Sequence, residues 1–178
     1  MSMDAIAGAT AGPFAAACVV LVFAGVSKLR RPLATRPAAA ALGLPASPAA
    51  VRTLGAAEVL TAGAALAVGA LAAAGVAVLY AALALASWRL LVRSPATPCG
   101  CLGASDAPVT AMHIVVNLAA AGVSLVAIAT GSPFAHVGGG VWSHLAFVML
   151  VGCCAWLVAS LLDALPALDT AIRQGGSR

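Results

Sequence analysis

The feature that most constrains this chain is the length of its uncharged apolar stretches. Between Asp106 and Asp163 no Asp, Glu, Lys or Arg occurs, and residues 5–27 are equally free of charge. The first stretch would be ~84 Å long as one helix, whereas about 20 helical residues already span the hydrocarbon core of a bilayer. It must therefore fold back on itself, and both stretches predict membrane-spanning helices.

Composition agrees with a membrane protein. The chain has 178 residues and is 63% hydrophobic and 8% charged, with a mean hydropathy of +1.09. A soluble domain carries about 25% charged residues. The chain therefore has no soluble domain large enough to act alone, and its small net charge of +4 points to no nucleic-acid partner.

Turn residues divide the apolar sequence into an all-α, polytopic transmembrane bundle. The predicted helices are residues 5–27, 53–68, 72–91, 109–130 and 142–165. The second and third are separated near glycines 69 and 75, because one helix over both would be about twice the hydrocarbon thickness. Prolines predict a loop over residues 28–52, with a short interfacial helix at 38–42, and the tail from Pro166 is expected to be polar.

The basic residues support this division. With five spans and the N-terminus outside, all nine Lys and Arg fall on one side of the membrane. By the positive-inside rule that side is cytoplasmic, and so are the C-terminus and the loop over residues 93–108. The nine basic residues are Lys28, Arg30, Arg31, Arg36, Arg52, Arg89, Arg93, Arg173 and Arg178.

Two of the five cysteines, Cys99 and Cys101, lie in that loop just before a predicted helix. A helix N-terminus favours the thiolate, and a disulfide across the single residue Gly100 would be strained and easily reduced. From the spacing alone three interpretations of the pair stay open: redox chemistry, metal binding and two ordinary loop thiols. A zinc site would need two more ligands, and the sequence offers none nearby, so no metal is predicted.

The other three cysteines are interpreted as small buried hydrophobic residues. They are Cys18, Cys153 and Cys154.

Four polar residues are predicted inside or at the ends of spans. Glu58 and Lys28 lie at similar depth, which predicts a salt bridge between the first two spanning helices. His113 and Asn117 share one helical face near the cysteine loop. An imidazolium at His113 would lower the pKa of a thiol, and the alternative is a hydrogen bond to a neighbouring helix.

Taken together, several segments resemble the MauE family of methylamine-utilisation membrane proteins, which are related to the DoxX-like proteins. The resemblance covers roughly residues 8–130. It rests on Ala-Gly-Val-Ser-Lys-Leu at 24–29, Glu58, Pro-Cys-Gly-Cys-Leu-Gly at 98–103, and Asn117.

The resemblance implies a four-helix MauE/DoxX-like membrane domain over 5–130, followed by an additional helix and a short tail over 131–178. It also implies a multi-pass protein of the bacterial cell membrane that serves processing, transport or maturation of the methylamine dehydrogenase small subunit. Cys99 and Cys101 would exchange disulfides with a thioredoxin-like partner or a secreted disulfide-containing client. The supporting residues would be His113, Asn117, Lys28 and Glu58.

Two other functions remain open at this point: a non-catalytic membrane scaffold for a redox partner, and a small transporter that uses Glu58, His113 and Asn117. The family's client is extracytoplasmic, while the charge rule places the cysteine loop inside. Either the orientation is inverted or the protein passes reducing equivalents across the membrane. The sequence identifies no cofactor, and it decides neither quinone use nor oligomeric state.

Overall fold

The computed structural model of the protein describes residues 3–68, 70–100, 108–131 and 140–175. This part contains helices and no strand. Every helix except α2 is long and apolar enough to cross a membrane, which makes five candidate spans and confirms the all-α polytopic bundle. The helices are α1 (Met3–Arg30), α2 (Pro32–Ala41), α3 (Pro48–Val68), α4 (Ala70–Arg93), α5 (Ala111–Thr130) and α6 (Val141–Gly175).

The division of the central apolar stretch falls where the sequence predicted it. Helix α3 ends at Val68 and α4 begins at Ala70. The two helices pack against each other, so the chain reverses between them. The merged single helix is therefore ruled out.

The helix boundaries differ from the prediction mainly at prolines. The interfacial helix α2 begins at Pro32 instead of residue 38, and α3 begins at Pro48 instead of residue 53. Proline has no N–H to lose in the first helical turn, and its fixed φ suits that position, so these prolines start helices. Helix α6 continues through Pro166 to Gly175, so the tail after the predicted span is helical in the described residues.

Helix α1 is the central element of the bundle. It contacts α2, α3, α5 and α6, while α4 packs on α3 and α5. Its buried face carries Phe14, Cys18 and Leu21. The Tyr80 hydroxyl of α4 donates a hydrogen bond to the Ala17 carbonyl, with an O–O distance of 2.6 Å. The outer faces expose large apolar side chains, as is expected of a surface solvated by lipid.

Candidate functional site

The cysteine loop is closed at its base. It connects α4 to α5, and its two ends meet in an isolated antiparallel bridge between Pro98 and Pro108. Cys99 follows the first bridge residue directly. Cys99 is therefore held at the bridged base of the loop, between the end of α4 and the start of α5.

Cys99 is disulfide-bonded and only 5% exposed. It packs in a small apolar cluster with Ala38 of α2, Leu90 of α4 and Val109 before α5. Cys101 lies outside the described residues. The other three cysteines are free thiols, so they do not pair with Cys99: Cys18, Cys153 and Cys154.

The loop is anchored on α2 through Gly100. The Thr35 hydroxyl donates a hydrogen bond to the Gly100 carbonyl at 2.9 Å. Gly100 has a φ of +61°, and a Cβ there would lie 2.8 Å from the Ala34 carbonyl oxygen. Only glycine satisfies both conditions. Sequence reasoning missed Thr35, because the short interfacial helix was predicted at residues 38–42 and Thr35 was left in the loop before it, whereas α2 begins at Pro32.

Gly100→Ala is expected to lift the cysteine loop off α2. Gly43→Ala is the matched control, because Gly43 also has a positive φ (+71°) but open space around its Cβ position. Both variants incur the left-handed strain of about 1–2 kcal/mol, and only Gly100→Ala adds the clash. After reduction, Cys99 should react with a maleimide several-fold faster in Gly100→Ala than in Gly43→Ala. Equal rates would mean that α2 does not cover the thiol.

His113 caps its own helix. The Thr110 backbone N–H donates to His113 Nδ1 at 3.2 Å, and the Thr110 hydroxyl lies 3.0 Å from the same nitrogen. A nitrogen that accepts an N–H bond carries no proton, so the ring proton sits on Nε2. Activating a thiol as an imidazolium would require this cap to break.

Asn117 faces α4, one turn along the same face of α5. Its Nδ2 lies 3.5 Å from the hydroxyl oxygen of Ser87, which is fully buried. The contact is at the upper limit for a hydrogen bond. Asn117 therefore contributes to the α4–α5 interface beneath the cysteine loop, and the sequence did not single out Ser87.

Lys28 and Glu58 form the predicted salt bridge. Lys28 Nζ lies 2.8 Å from Glu58 Oε2, and the two side chains are 1% and 0% exposed. Because α3 begins at Pro48, Glu58 lies about 15 Å along the helix, deeper than the sequence indicated. The second carboxylate oxygen, Oε1, is buried and has no hydrogen-bond partner among the described residues.

The ion pair lies next to a close backbone crossing. A Cβ at Gly25 would lie 2.6 Å from the Gly55 carbonyl oxygen, and a Cβ at Gly55 would lie 2.7 Å from the Gly25 oxygen. Lys28 and Glu58 each follow one of these glycines by three residues, on the same helical face. The glycines let α1 and α3 approach closely enough for the side chains to meet.

The remaining cysteines differ from their interpretation in part. Cys18 is fully buried in the core as expected, but Cys153 and Cys154 are exposed on α6. No group of three or more His, Cys, Asp or Glu that could hold a metal occurs within the described residues.

Residues 6–132 match the family described as methylamine utilisation protein MauE. Comparison with curated proteins and with solved structures gave no significant match. The matched segment contains α5, the cysteine loop and the α1–α3 ion pair, and it ends before α6 begins. Because this match covers well over half of the chain and the helices are suited to span a membrane, the protein is an integral membrane member of the MauE family of methylamine utilisation proteins.

Proposed function

We propose that the protein is a membrane thiol–disulfide exchange factor that acts through Cys99 and Cys101. Its client is a secreted disulfide-containing protein of the methylamine dehydrogenase small-subunit type. The observation that carries this proposal is the disulfide at Cys99, in a loop pinned at its base by the Pro98–Pro108 bridge. Membership of the MauE family supports the choice of client.

The proposed exchange conserves thiols and electrons. In the reduced protein, one loop thiolate attacks a disulfide of a thioredoxin-like partner, and a partner sulfur leaves as a thiolate. The second loop cysteine then attacks the mixed disulfide and expels the other partner sulfur. Two electrons pass from the loop dithiol to the partner, and the loop becomes a disulfide. The reverse sequence returns the loop to the dithiol.

Helix α5 begins at Ala111, and the positive end of a helix dipole favours a thiolate over a thiol close to it. Cys101 is nearer to that end along the sequence and is proposed as the nucleophile. Cys99 is then the resolving cysteine. Its burial against α2 and α4 implies that the loop must lift before the mixed disulfide is resolved.

Replacing the resolving cysteine is expected to trap the mixed disulfide. The probe is a purified thioredoxin that lacks its own resolving cysteine and carries its remaining active-site cysteine as an activated mixed disulfide. The protein would carry Cys153→Ala and Cys154→Ala, which remove the exposed free thiols. Cys99→Ser should then accumulate a covalent adduct on a non-reducing gel, and Cys101→Ser should form much less.

Two controls decide the outcome. The adduct should disappear with reductant and should not form in the Cys99→Ser/Cys101→Ser protein. If neither single variant gives an adduct, and the loop thiols do not respond to thiol–disulfide buffers of any poise, the exchange mechanism is wrong.

A non-catalytic scaffold is the second candidate, and the burial of Cys99 favours it. A disulfide-bonded cysteine that is only 5% exposed and packs between α2, α4 and Val109 is typical of a structural position. The Cys99→Ser/Cys101→Ser protein separates the two functions in a methylamine-utilising host. A scaffold would still support accumulation of mature small subunit, whereas an exchange factor would not.

The proposed orientation has the N-terminus outside, the C-terminus inside and the cysteine loop in the cytoplasm of a bacterial cell. It rests on the one-sided distribution of basic residues. In this orientation the loop exchanges with a thioredoxin-like partner in the cytoplasm, and reducing equivalents must pass across the membrane to reach the secreted client. Labelling of reduced loop thiols in intact cells with a membrane-impermeant maleimide tests it, in the variant that lacks Cys153 and Cys154. Labelling only after cell lysis would support a cytoplasmic loop, and labelling of intact cells would overturn it.

A further inference from the structure

A groove between α1 and α6 is lined by apolar residues along most of its length and by two arginines at one end. It encloses about 530 Å³. Its walls are mostly apolar and include Phe23 and Val26 of α1 and Trp156 of α6. At the end of α1 it is lined by Arg30 and by the residue that follows it, Arg31. Both helices qualify as membrane spans, so the groove is apolar at membrane depth and cationic at the membrane surface.

The two arginines are available to a ligand. Both are exposed, and no ion pair within the described residues involves either of them, since that part of the chain contains only the Lys28–Glu58 pair. Among the side chains that the structure describes, no acidic one lines the groove. Guanidinium groups present paired N–H donors that match the oxygens of a phosphate. The cationic end of the groove is therefore suited to an anionic headgroup.

The apolar walls restrict the ligand further. Phe23 is 59% exposed and Trp156 is 66% exposed, on helix faces that lie in the hydrocarbon region. Tryptophan is enriched at the membrane interface, where its ring contacts chains and its N–H reaches polar groups. A ligand here must carry its chain inside the bilayer and its negative charge at the surface.

We propose that this groove is a binding site for an anionic phospholipid. The phosphate contacts Arg30 and Arg31, and one acyl chain lies along Phe23, Val26 and Trp156. Basic pockets between membrane-spanning helices are suited to such headgroups. The α1 wall of the site lies inside the segment matched by the family, and the α6 wall lies outside it, because α6 begins at Val141 and the match ends at residue 132. It is independent of the thiol chemistry proposed above.

Trp156 provides a reporter inside the groove. In a Trp88→Phe/Trp142→Phe protein it is the sole tryptophan, and both replaced side chains are exposed, at 52% and 84%, so the fold should tolerate the changes. The protein is placed in phosphatidylcholine nanodiscs that contain a small fraction of a lipid brominated on one acyl chain. This brominated lipid is phosphatidylglycerol in one sample and phosphatidylcholine in the other. Quenching of Trp156 by the brominated lipid measures its occupancy of the groove.

Brominated phosphatidylglycerol is expected to quench Trp156 more strongly than brominated phosphatidylcholine. The preference should be about fivefold for each arginine that contacts the headgroup. Arg30→Gln/Arg31→Gln should abolish it. Arg89→Gln/Arg93→Gln removes the same charge from the end of α4 and should leave it unchanged.

Three results would overturn the proposal. Equal quenching by the two lipids would show no anionic preference. The same preference at Trp88, in a protein that keeps only that tryptophan, would show general attraction to a basic surface. The third result concerns Asp163, which is the first acidic residue after Trp156 in the sequence. If Asp163→Asn and Arg30→Gln/Arg31→Gln lower the unfolding midpoint equally, with no lipid preference in the parent, the arginines serve a protein ion pair instead.

Discussion

Lys28→Met is expected to destabilise the protein by about 3–5 kcal/mol, the usual cost of removing one partner from a buried ion pair. The partner left behind, the Glu58 carboxylate, is fully buried. Its only described hydrogen bond comes from Lys28 Nζ at 2.8 Å, and its Oε1 already has no partner within the described residues. The measurement is the free energy of unfolding from an SDS titration in mixed micelles.

The double variant Lys28→Met/Glu58→Met separates the charge penalty from lost packing. Removing both charges should recover most of the stability, since apolar side chains can replace a buried ion pair at little cost. Arg52→Met is the control, because Arg52 lies six residues before Glu58 in α3 and is exposed. If Lys28→Met destabilises no more than Arg52→Met, the ion pair does not stabilise the bundle.

The sequence predicted the features that depend on hydropathy and on local charge. Uncharged length located the spanning helices, and the bilayer thickness required the reversal between α3 and α4. The Lys28–Glu58 contact followed from the cost of an unpaired charge at membrane depth. Each of these features follows from the preference of apolar helices for lipid and of charges for water or a partner. Hydropathy and charge can be read from a single sequence.

Features that depend on how helices pack were not predicted. Pro32 and Pro48 begin helices, although a proline in a sequence can mark either the first turn of a helix or the interruption of one. The contact between Thr35 and Gly100 joins residues far apart in the sequence. Neither residue belongs to a sequence motif that would predict the contact. The packing of the cysteine loop against α2 could therefore be found only from the three-dimensional structure.

The close approach of α1 and α3 at their glycines and the ion pair between these helices depend on each other. Small residues allow close packing where lipid gives no hydrophobic drive for helix association. Gly25 and Gly55 bring the backbones together, and the three-residue spacing puts Lys28 beside Glu58. Separating the helices would therefore weaken the packing and the salt bridge at once.

Gly55→Ala is accordingly expected to destabilise the protein at the upper end of, or beyond, the roughly 1–3 kcal/mol typical of an overpacked core. The added Cβ would lie 2.7 Å from the Gly25 carbonyl oxygen and 3.3 Å from the Leu29 backbone nitrogen. Neither backbone atom can move without shifting α1. Gly63→Ala is the matched control on the same helix, because nothing lies within 4 Å of its Cβ position. It should be neutral or stabilising by about 0.5–1 kcal/mol.

The same pair of variants tests the link to the ion pair. In the Gly63→Ala background, the coupling energy between Lys28 and Glu58 in a double-mutant cycle should equal that of the parent protein. In the Gly55→Ala background it should fall sharply, because α1 is displaced from α3. If Gly55→Ala and Gly63→Ala have the same stability, the two helices do not need to touch at this point. If the coupling survives Gly55→Ala, the salt bridge forms independently of the crossing.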